Sequence, residues 1–271
     1  PPGAVSGGAP RRAPPSKAAP VAPKPAETDP NPLALPARKP AADVGARVFT
    51  VPEAMLRGAK EGSAFAFRSA TVTAVDGESL VVHGRDGPPY RVHPGYAISF
   101  VPGKRPKTER PVLVDFAGSL RHGVVARYDK DKVVVRLTDA AELVERSVQL
   151  DQLMVKEDGL RPGNHALARV GPDYEHVLIV SKLEGVERFL TIGFAGKSRI
   201  FDAAALSAVP ISYLPKPKTR VWAVHLGKAR EGVVLEVDRP GLAKVEFARA
   251  GRPVTVGYGF LLPPLVPAPP P

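Results

Sequence analysis

The sequence predicts an all-β protein of small antiparallel barrels joined in series, and a repeat, its alternation and its turns support that fold class. The fourteen residues Val112–Val125 match Val221–Val234 without a gap, about 109 positions further along. Each copy reads as an alternating strand, a glycine turn and a second strand that opens on Gly-Val-Val. Asp76-Gly77 separates two further alternating runs, and Asp-Gly at such a place is a strong hairpin signal.

The predicted organisation is four tandem barrels that follow a disordered, Pro/Ala-rich segment. Residues 1–45 contain 12 Pro and 11 Ala with few larger aliphatic side chains, so no core can offset the entropy of ordering them. The complete set of predicted units is a stalk at 1–45, a short helix or turn at 46–61, barrels at 62–103, 110–156, 163–210 and 219–263, and a Pro-rich tail at 264–271.

Alternating apolar residues predict the strands of each barrel in turn. In barrel three His176 replaces the turn glycine of the other copies, and barrel three is therefore the most diverged copy. The predicted strands are 62–67, 70–75, 79–83, 90–93 and 97–101 in barrel one, 112–116, 123–128, 132–137 and 147–154 in barrel two, 166–168, 176–180 and 188–192 in barrel three, and 253–256 and 259–262 at the end of barrel four.

A longer period indicates that barrels one and two are duplicated as barrels three and four. Arg105-Pro-Lys-Thr108 precedes barrel two, and Lys216-Pro-Lys-Thr219 precedes barrel four. Barrels of about 50 residues bury little surface alone, so we expect the members of each pair to dock and share apolar area. A protein or polymer partner would then bind along the grooves between paired barrels.

The chemistry of an enzyme or a metal site is missing from the sequence. There is no cysteine, and the six histidines, at 83, 93, 122, 165, 176 and 225, are scattered singly, whereas a metal site needs several convergent donors. No phosphate-binding glycine loop or nucleophile elbow is present, and surface strand positions and turns explain Asp115 and Asp151. The sequence therefore predicts a protein that is not an enzyme, with no metal and no cofactor.

The repeat resembles the Tudor and agenet group of SH3-like barrels, through an apolar residue, a glycine turn, Gly-Val-Val and a closing Leu. Members that read methylated lysine or arginine hold the cation in an aromatic cage. Carried over by position, the first cage site falls on Phe116, Val170 and His225, the second on Arg121-His122 and Arg230-Glu231, and the third on Leu137 and Phe247.

No copy retains a complete cage, so the resemblance predicts the fold more strongly than the reading of a methyl mark. Barrel four is the best candidate binding surface because aromatic residues are concentrated there. The alternative interpretation of Trp222 is that it covers the contact with barrel three. The predicted ligand-binding residues are Phe116, Trp222, His225, Phe247 and Tyr258.

The barrels also resemble the KOW motif, which contacts RNA and ribosomal partners, and this resemblance implies a nucleic-acid-associated alternative. The net charge of the chain is +11. Residues 1–45 contribute to it with six Lys/Arg against three Asp/Glu. Basic linkers could contact phosphates, and such binding would weaken with salt; their other interpretation is as solvated spacers. The predicted polyanion-binding residues are Lys104, Arg105, Lys107, Arg110, Lys216, Lys218 and Arg220.

These observations predict a non-enzymatic binding or scaffolding protein with a protein or polymer partner. The basic nucleic-acid-associated protein is the alternative, and a passive spacer is a third reading. No apolar run approaches the ~20 residues of a membrane helix. Because the chain starts at Pro1 without a methionine, we expect a processed product that has lost an anchoring segment, or a piece of a longer protein. The expected location is a bacterial periplasm or cell surface, where an unseen N-terminal segment would anchor the chain, with a cytoplasmic location as the alternative.

Overall fold

The computed structural model divides the chain into two compact units, Pro1–Pro30 and Asn31–Pro271. The predicted stalk and tail lie mostly outside the described residues, as do Lys104 and Tyr258. The structure describes Gly3, Leu33 and residues 42–100, 105–117, 119–138, 144–155, 157–183, 185–193, 196–210, 213, 215–238, 242–248, 252–257 and 260–264.

Within these residues the fold is all-β, as the sequence predicts, with 3-10 turns between some strands. No helix in this part of the chain has the length and apolar character needed to cross a membrane. The first ten strands are β1 (Arg47–Thr50), β2 (Arg68–Asp76), β3 (Ser79–Gly84), β4 (Tyr90–Val92), β5 (Ala97–Phe100), β6 (Pro111–Phe116), β7 (Ser119–Asp129), β8 (Lys132–Leu137), β9 (Val144–Gln149) and β10 (Leu153–Val155). The remaining ten are β11 (His165–Val170), β12 (Asp173–Lys182), β13 (Arg188–Ile192), β14 (Ser198–Asp202), β15 (Leu206–Ala208), β16 (Arg220–His225), β17 (Lys228–Asp238), β18 (Leu242–Phe247), β19 (Val254–Gly257) and β20 (Leu261–Leu262). The 3-10 turns are Glu53–Leu56, Pro94–Tyr96, Leu150–Gln152 and Ala203–Ala205.

The same antiparallel topology occurs four times, in module one (β1–β5), module two (β6–β10), module three (β11–β15) and module four (β16–β20). In each module the first four strands pair in sequence order, and the fifth strand returns to pair with the first. Modules one and two form separate five-stranded sheets, whereas β12 pairs with β17 and joins modules three and four in one ten-stranded sheet.

Two backbone devices recur in every module. The second strand carries a β-bulge directly after an apolar residue, which is Val72, Val125, Ile179 or Val234. That residue exchanges two backbone hydrogen bonds with a tight turn before the first strand, and the third residue of each turn has a positive φ. These left-handed residues are Gly45, Glu109, Gly163 and Lys218. The basic linkers Lys107–Arg110 and Lys216–Thr219 are therefore the entry turns of modules two and four.

The glycine of each Gly-Val-Val repeat permits a close approach between strands. A Cβ at Gly123 would lie 2.5 Å from Cγ1 of Val135, and one at Gly232 would lie 2.5 Å from Cγ1 of Val245. Both neighbours lie on the third strand of the same module. The glycine thus recurs because the second and third strands pack too closely there for a side chain.

Each module has an apolar interior, and the largest core is shared by modules one, two and three. Module one gives five aromatic side chains to this shared core, module two gives Leu113, and module three gives Val180 and Leu190. A second shared cluster, around Leu167 and Leu262, joins modules three and four. Docking therefore extends beyond the duplicated pairs that the sequence predicts, because module three packs against modules one and two as well as against its own partner, module four.

The structure corrects the prediction for the start of module one. Residues 46–61, predicted as a helix or turn, include strand β1, which pairs with both β2 and β5. Residues 62–67, predicted as a strand, instead connect β1 to β2, and the Phe65 amide donates to the Gly196 carbonyl of module three at 2.9 Å. Phe65 and Phe67 alternate because both side chains enter the shared core. Their spacing resembles a strand, although the segment serves as a contact between modules.

The predicted disordered segment 1–45 also needs correction at the residues that the structure describes. Leu33 is buried in the shared core, and its amide donates to the carbonyl of Ala59 at 3.3 Å. Ala46 closes a turn by donating to Asp43 at 3.0 Å. Leu33 and residues 42–45 therefore belong to the folded unit, because a single leucine can bury its side chain between elements that other residues build.

Tyr96 places a buried hydroxyl in the shared core. Its side chain is fully buried, and among the described residues its hydroxyl has no hydrogen-bond partner. We expect Tyr96→Phe to raise the free energy of unfolding by about 1 kcal/mol. Folding of the wild-type protein buries a hydroxyl that loses its hydrogen bonds to water, and phenylalanine has no such hydroxyl. Urea unfolding of both proteins at about pH 7 measures this difference, and a less stable variant would contradict the account.

The same substitution tests a pH dependence. Burial raises the pKa of Tyr96, whereas an unfolded tyrosine titrates near about pH 10. Above about pH 10 the unfolded chain therefore releases this proton while the folded chain retains it, so stability is unaffected below that pH and falls as the pH rises further. We expect the wild-type protein to lose more stability than Tyr96→Phe between about pH 9 and pH 11.

Candidate functional site

Trp222 lies at the interface between modules three and four. Its indole is 4.9 Å from the ring of Tyr174 in an edge-to-face arrangement, and both pack against the cluster around Leu167 and Leu262. This position matches the interface interpretation of Trp222. Neighbours along β16 point the other way, into the interior of module four, because side chains alternate along a strand.

The other predicted ligand-binding residues do not gather around Trp222. Phe247 is buried in the interior of module four, and the ring of His225 lies 5.9 Å from it. Phe116 belongs to module two, where the guanidinium of Arg146 lies 5.3 Å from its ring. The structure therefore brings two of these residues together at one end of module four and leaves Trp222 and Phe116 elsewhere.

The described residues of the predicted polyanion site are exposed. Lys107 and Arg110 belong to the entry turn of module two, and Lys216 and Lys218 belong to that of module four. Arg220 borders a shallow hollow of about 480 Å³ next to Phe247.

Arg105 adds a feature that the sequence did not reveal. Its guanidinium lies 3.7 Å from the centre of the Tyr128 ring, and the hydroxyl of Tyr128 donates to the carbonyl of Pro106. A stacking partner for this linker therefore comes from β7.

Three histidines that are scattered in the sequence meet where modules two, three and four converge. The rings of His122 and His165 are 3.6 Å apart between centres, and those of His165 and His176 are 4.2 Å apart. Phe260 contacts both His165 and His176. No group of three or more His, Asp or Glu residues in the described part of the chain fits a metal ion.

The strand registers also correct the interpretation of His176. It is the equivalent of His122, because they lie opposite Leu167 and Leu113 on the first strands of their modules. The turn glycine of module three is Gly171, at a φ of 60°.

The largest described cleft, here called cleft A, has a volume of about 830 Å³ and lies between modules one and two. The tip of the β6–β7 hairpin, at Ala117, forms one wall, and strands β2 and β3 form the other. At its base Arg47 of module one donates to Asp115 of module two at 2.9 Å and to Asp151 at 3.1 Å. Asp115 is only 2 % exposed, so the prediction of a surface position for it was wrong. This ion pair fixes the two modules at the base of the cleft.

Two arginines give cleft A its chemistry. Arg68 and Arg85 line it, and both side chains are exposed and have no carboxylate partner among the described residues. Asp86 is the remaining charged residue of the wall. Apolar contact area is also present, since Met55 lines the cleft and is 47 % exposed. Cleft A can therefore bind a carboxylate beside an aliphatic group.

Tyr90 lines cleft A with a hydroxyl that remains protonated at neutral pH. Partial burial raises the pKa of this tyrosine above its ordinary value. A neutral phenol can donate a hydrogen bond to an anionic ligand and offers a ring face beside it. The sequence could not indicate this role, because the cleft is formed by segments from two modules.

No protein-family model matches the chain, and no curated protein is similar to it in sequence. Solved structures similar to it include the tandem Agenet domains 3-4 of ADCP1, at 13% identity and a TM-score of 0.25, covering 39% of this chain and 89% of that one. They also include the four MBT repeats of Drosophila melanogaster Sfmbt in complex with the peptide RHR(me)KVLR, at 8% identity and a TM-score of 0.17, covering 82% of this chain and 88% of that one.

Agenet and MBT repeats are Tudor-like folds, the class that the sequence resembles.

Proposed function

We propose that this protein is a non-enzymatic binding module that docks a protein partner in cleft A. The observation that supports this most strongly is the presence in cleft A of two exposed arginines that have no carboxylate partner in the described part of the chain, beside exposed apolar surface. The Arg47–Asp115 pair beneath them holds modules one and two in place, so the cleft is formed before a partner arrives. A preformed site loses less entropy on binding.

The partner that suits cleft A is a peptide segment with acidic and aliphatic side chains. Arg68 and Arg85 can each donate several hydrogen bonds to a carboxylate, and Met55 and Pro52 offer apolar contact. A nucleic-acid backbone suits this cleft less well, because it offers no aliphatic group to contact Met55 and Pro52. The mixed lining therefore favours an acidic peptide over a polyanion of uniform charge.

A binding titration tests this proposal. The probe is a fluorescent hexapeptide that alternates glutamate and leucine, and the variant is Arg68→Ala/Arg85→Ala. We expect the affinity of cleft A for the probe to fall at least about tenfold, because two charge-assisted contacts are removed. The matched control is Lys132→Ala/Arg252→Ala, which removes the same charge from exposed positions that border no described cleft.

The control separates a specific site from general attraction by the basic chain. Equal weakening in both double variants would contradict docking in cleft A. Tighter binding of generic RNA or DNA than of the peptide, lost on replacement of Lys107 and Lys218, would instead support the nucleic-acid alternative. Export to a bacterial envelope, expected from the sequence, stays a prediction.

A further inference from the structure

A second cleft, here called cleft B, lies between modules three and four. It has a volume of about 580 Å³ and is lined by Glu175, Lys197 and Arg199 of module three and by Leu226 to Lys228 of module four. Gly62, from the long connection of module one, lies at its border. Cleft B therefore adjoins three of the four modules.

Clefts A and B are formed by equivalent parts of the two module pairs. In each case the tip of the first hairpin of the later module faces the second strand of the earlier one. Ala117 at one tip and Leu226 at the other are the first residues after β6 and β16, with φ values of 52° and 51°. In the facing walls Arg68 and Glu175 are equivalent, because each lies four residues before the apolar residue that precedes the bulge of its strand. The duplication seen in the sequence therefore produces two clefts that are formed by equivalent structural elements.

The charged residues of cleft B are similar in kind to those of cleft A. Arg199 donates to Glu175 at 3.0 Å within module three, whereas the Arg47–Asp115 pair of cleft A joins two modules. Lys197 and Lys228 then remain as exposed cations without a carboxylate partner among the described residues. Each cleft thus contains an ion pair and two cations without a described carboxylate partner, and cleft A also contains Asp86.

Cleft B also presents apolar surface beside its cations. Leu226 is 78% exposed, although a leucine in the left-handed region costs roughly 1 kcal/mol. Its neighbour Gly227 accepts a hydrogen bond from the His176 amide at 3.1 Å, which holds the hairpin tip against module three. An aliphatic side chain is therefore displayed at the rim, as Met55 is in cleft A.

We infer that cleft B is a second docking site for acidic peptide segments, so that one chain binds two such segments. The inference rests on the proposed function, because it assigns cleft B the ligand chemistry of cleft A. The fitting partner is a protein with repeated acidic and aliphatic segments. Two sites on one chain would bind such a partner more tightly than either site alone, provided that a linker can span them.

Calorimetric titration of the full chain with the same hexapeptide tests the second site. We expect two peptides per wild-type chain, one per chain for Lys197→Ala/Lys228→Ala and one for Arg68→Ala/Arg85→Ala. The variant with all four substitutions should bind none. The control Lys132→Ala/Arg252→Ala should still bind two, and circular dichroism confirms that every variant is folded.

The outcomes distinguish the second site from the proposed function. One peptide per wild-type chain, lost only in Arg68→Ala/Arg85→Ala, would overturn the second site and leave docking in cleft A intact. One peptide lost only in Lys197→Ala/Lys228→Ala would overturn docking in cleft A. Equal binding by every variant would overturn both, since the peptide would then bind elsewhere on the basic surface.

Discussion

Replacing Leu113 with alanine is expected to lower the free energy of unfolding by about 3 kcal/mol and to loosen three modules at once. Leu113 belongs to β6 of module two, yet its fully buried side chain packs in the core shared with modules one and three. The substitution leaves a cavity between modules. Chemical denaturation measures the loss of stability, and amide hydrogen exchange shows where the structure opens.

Leu153→Ala is the matched control for this prediction. Leu153 is 3% exposed and packs in the separate interior of module two. We expect its loss to speed exchange mainly in β6–β10, whereas Leu113→Ala should also speed exchange in β5 and β13. If Leu113→Ala affected module two alone, the shared core would not couple the modules.

Gly196→Ala is expected to cost about 3 kcal/mol and to detach the long connection of module one from module three. Gly196 has a φ of 76°, where a residue with a side chain is strained by about 1–2 kcal/mol. A Cβ there would also lie 2.4 Å from the carbonyl oxygen of Phe65, which is backbone and has little freedom to move. The hydrogen bond from Phe65 to Gly196 would be lost with the contact.

Gly185→Ala isolates the conformational part of this effect. Gly185 has nearly the same φ, 75°, and a Cβ there would meet nothing within 4 Å. We expect Gly185→Ala to cost only about 1 kcal/mol, measured by the same urea titration. Equal losses in the two variants would mean that the contact between Phe65 and Gly196 contributes nothing to stability.

The alternating patterns predicted much of the strand structure because both strands of each hairpin are local. The turn at Asp76-Gly77 joins β2 to β3, and the strand predicted at 132–137 coincides with β8. The Gly-Val-Val repeat proved informative for a physical reason, since its glycine allows the second and third strands to approach. Local sequence therefore carried the part of the fold that depends on local pairing.

Contacts between modules could not be read from the sequence in the same way. Phe65 and Phe67 alternate like strand residues, but the backbone of this connection pairs with Gly196 and Ser198 of module three. Leu33 lies in a segment whose composition predicts disorder, and it nevertheless fills a gap in the shared core. Both errors arise because the partners are distant in the sequence, Gly196 for Phe65 and Ala59 for Leu33.

The candidate site shows the same division. The concentration of aromatic residues in barrel four directed attention to Trp222, and the structure places this residue between modules three and four. Cleft A depends on Arg68 and Arg85 of module one and on the hairpin tip of module two. The duplicated linkers were the one signal of paired modules, and they indicated the grooves without indicating the residues that line them.

Mapping the bound peptide onto the chain tests the central claim, docking in the clefts between paired modules, most directly. Amide hydrogen exchange is measured with and without a saturating amount of the glutamate–leucine hexapeptide. The account predicts protection at residues 68–71 and 83–90 of cleft A and at 226–228 of cleft B. Protection centred instead on His225 and Phe247, or on the entry turns at 107–110 and 216–219, would contradict it.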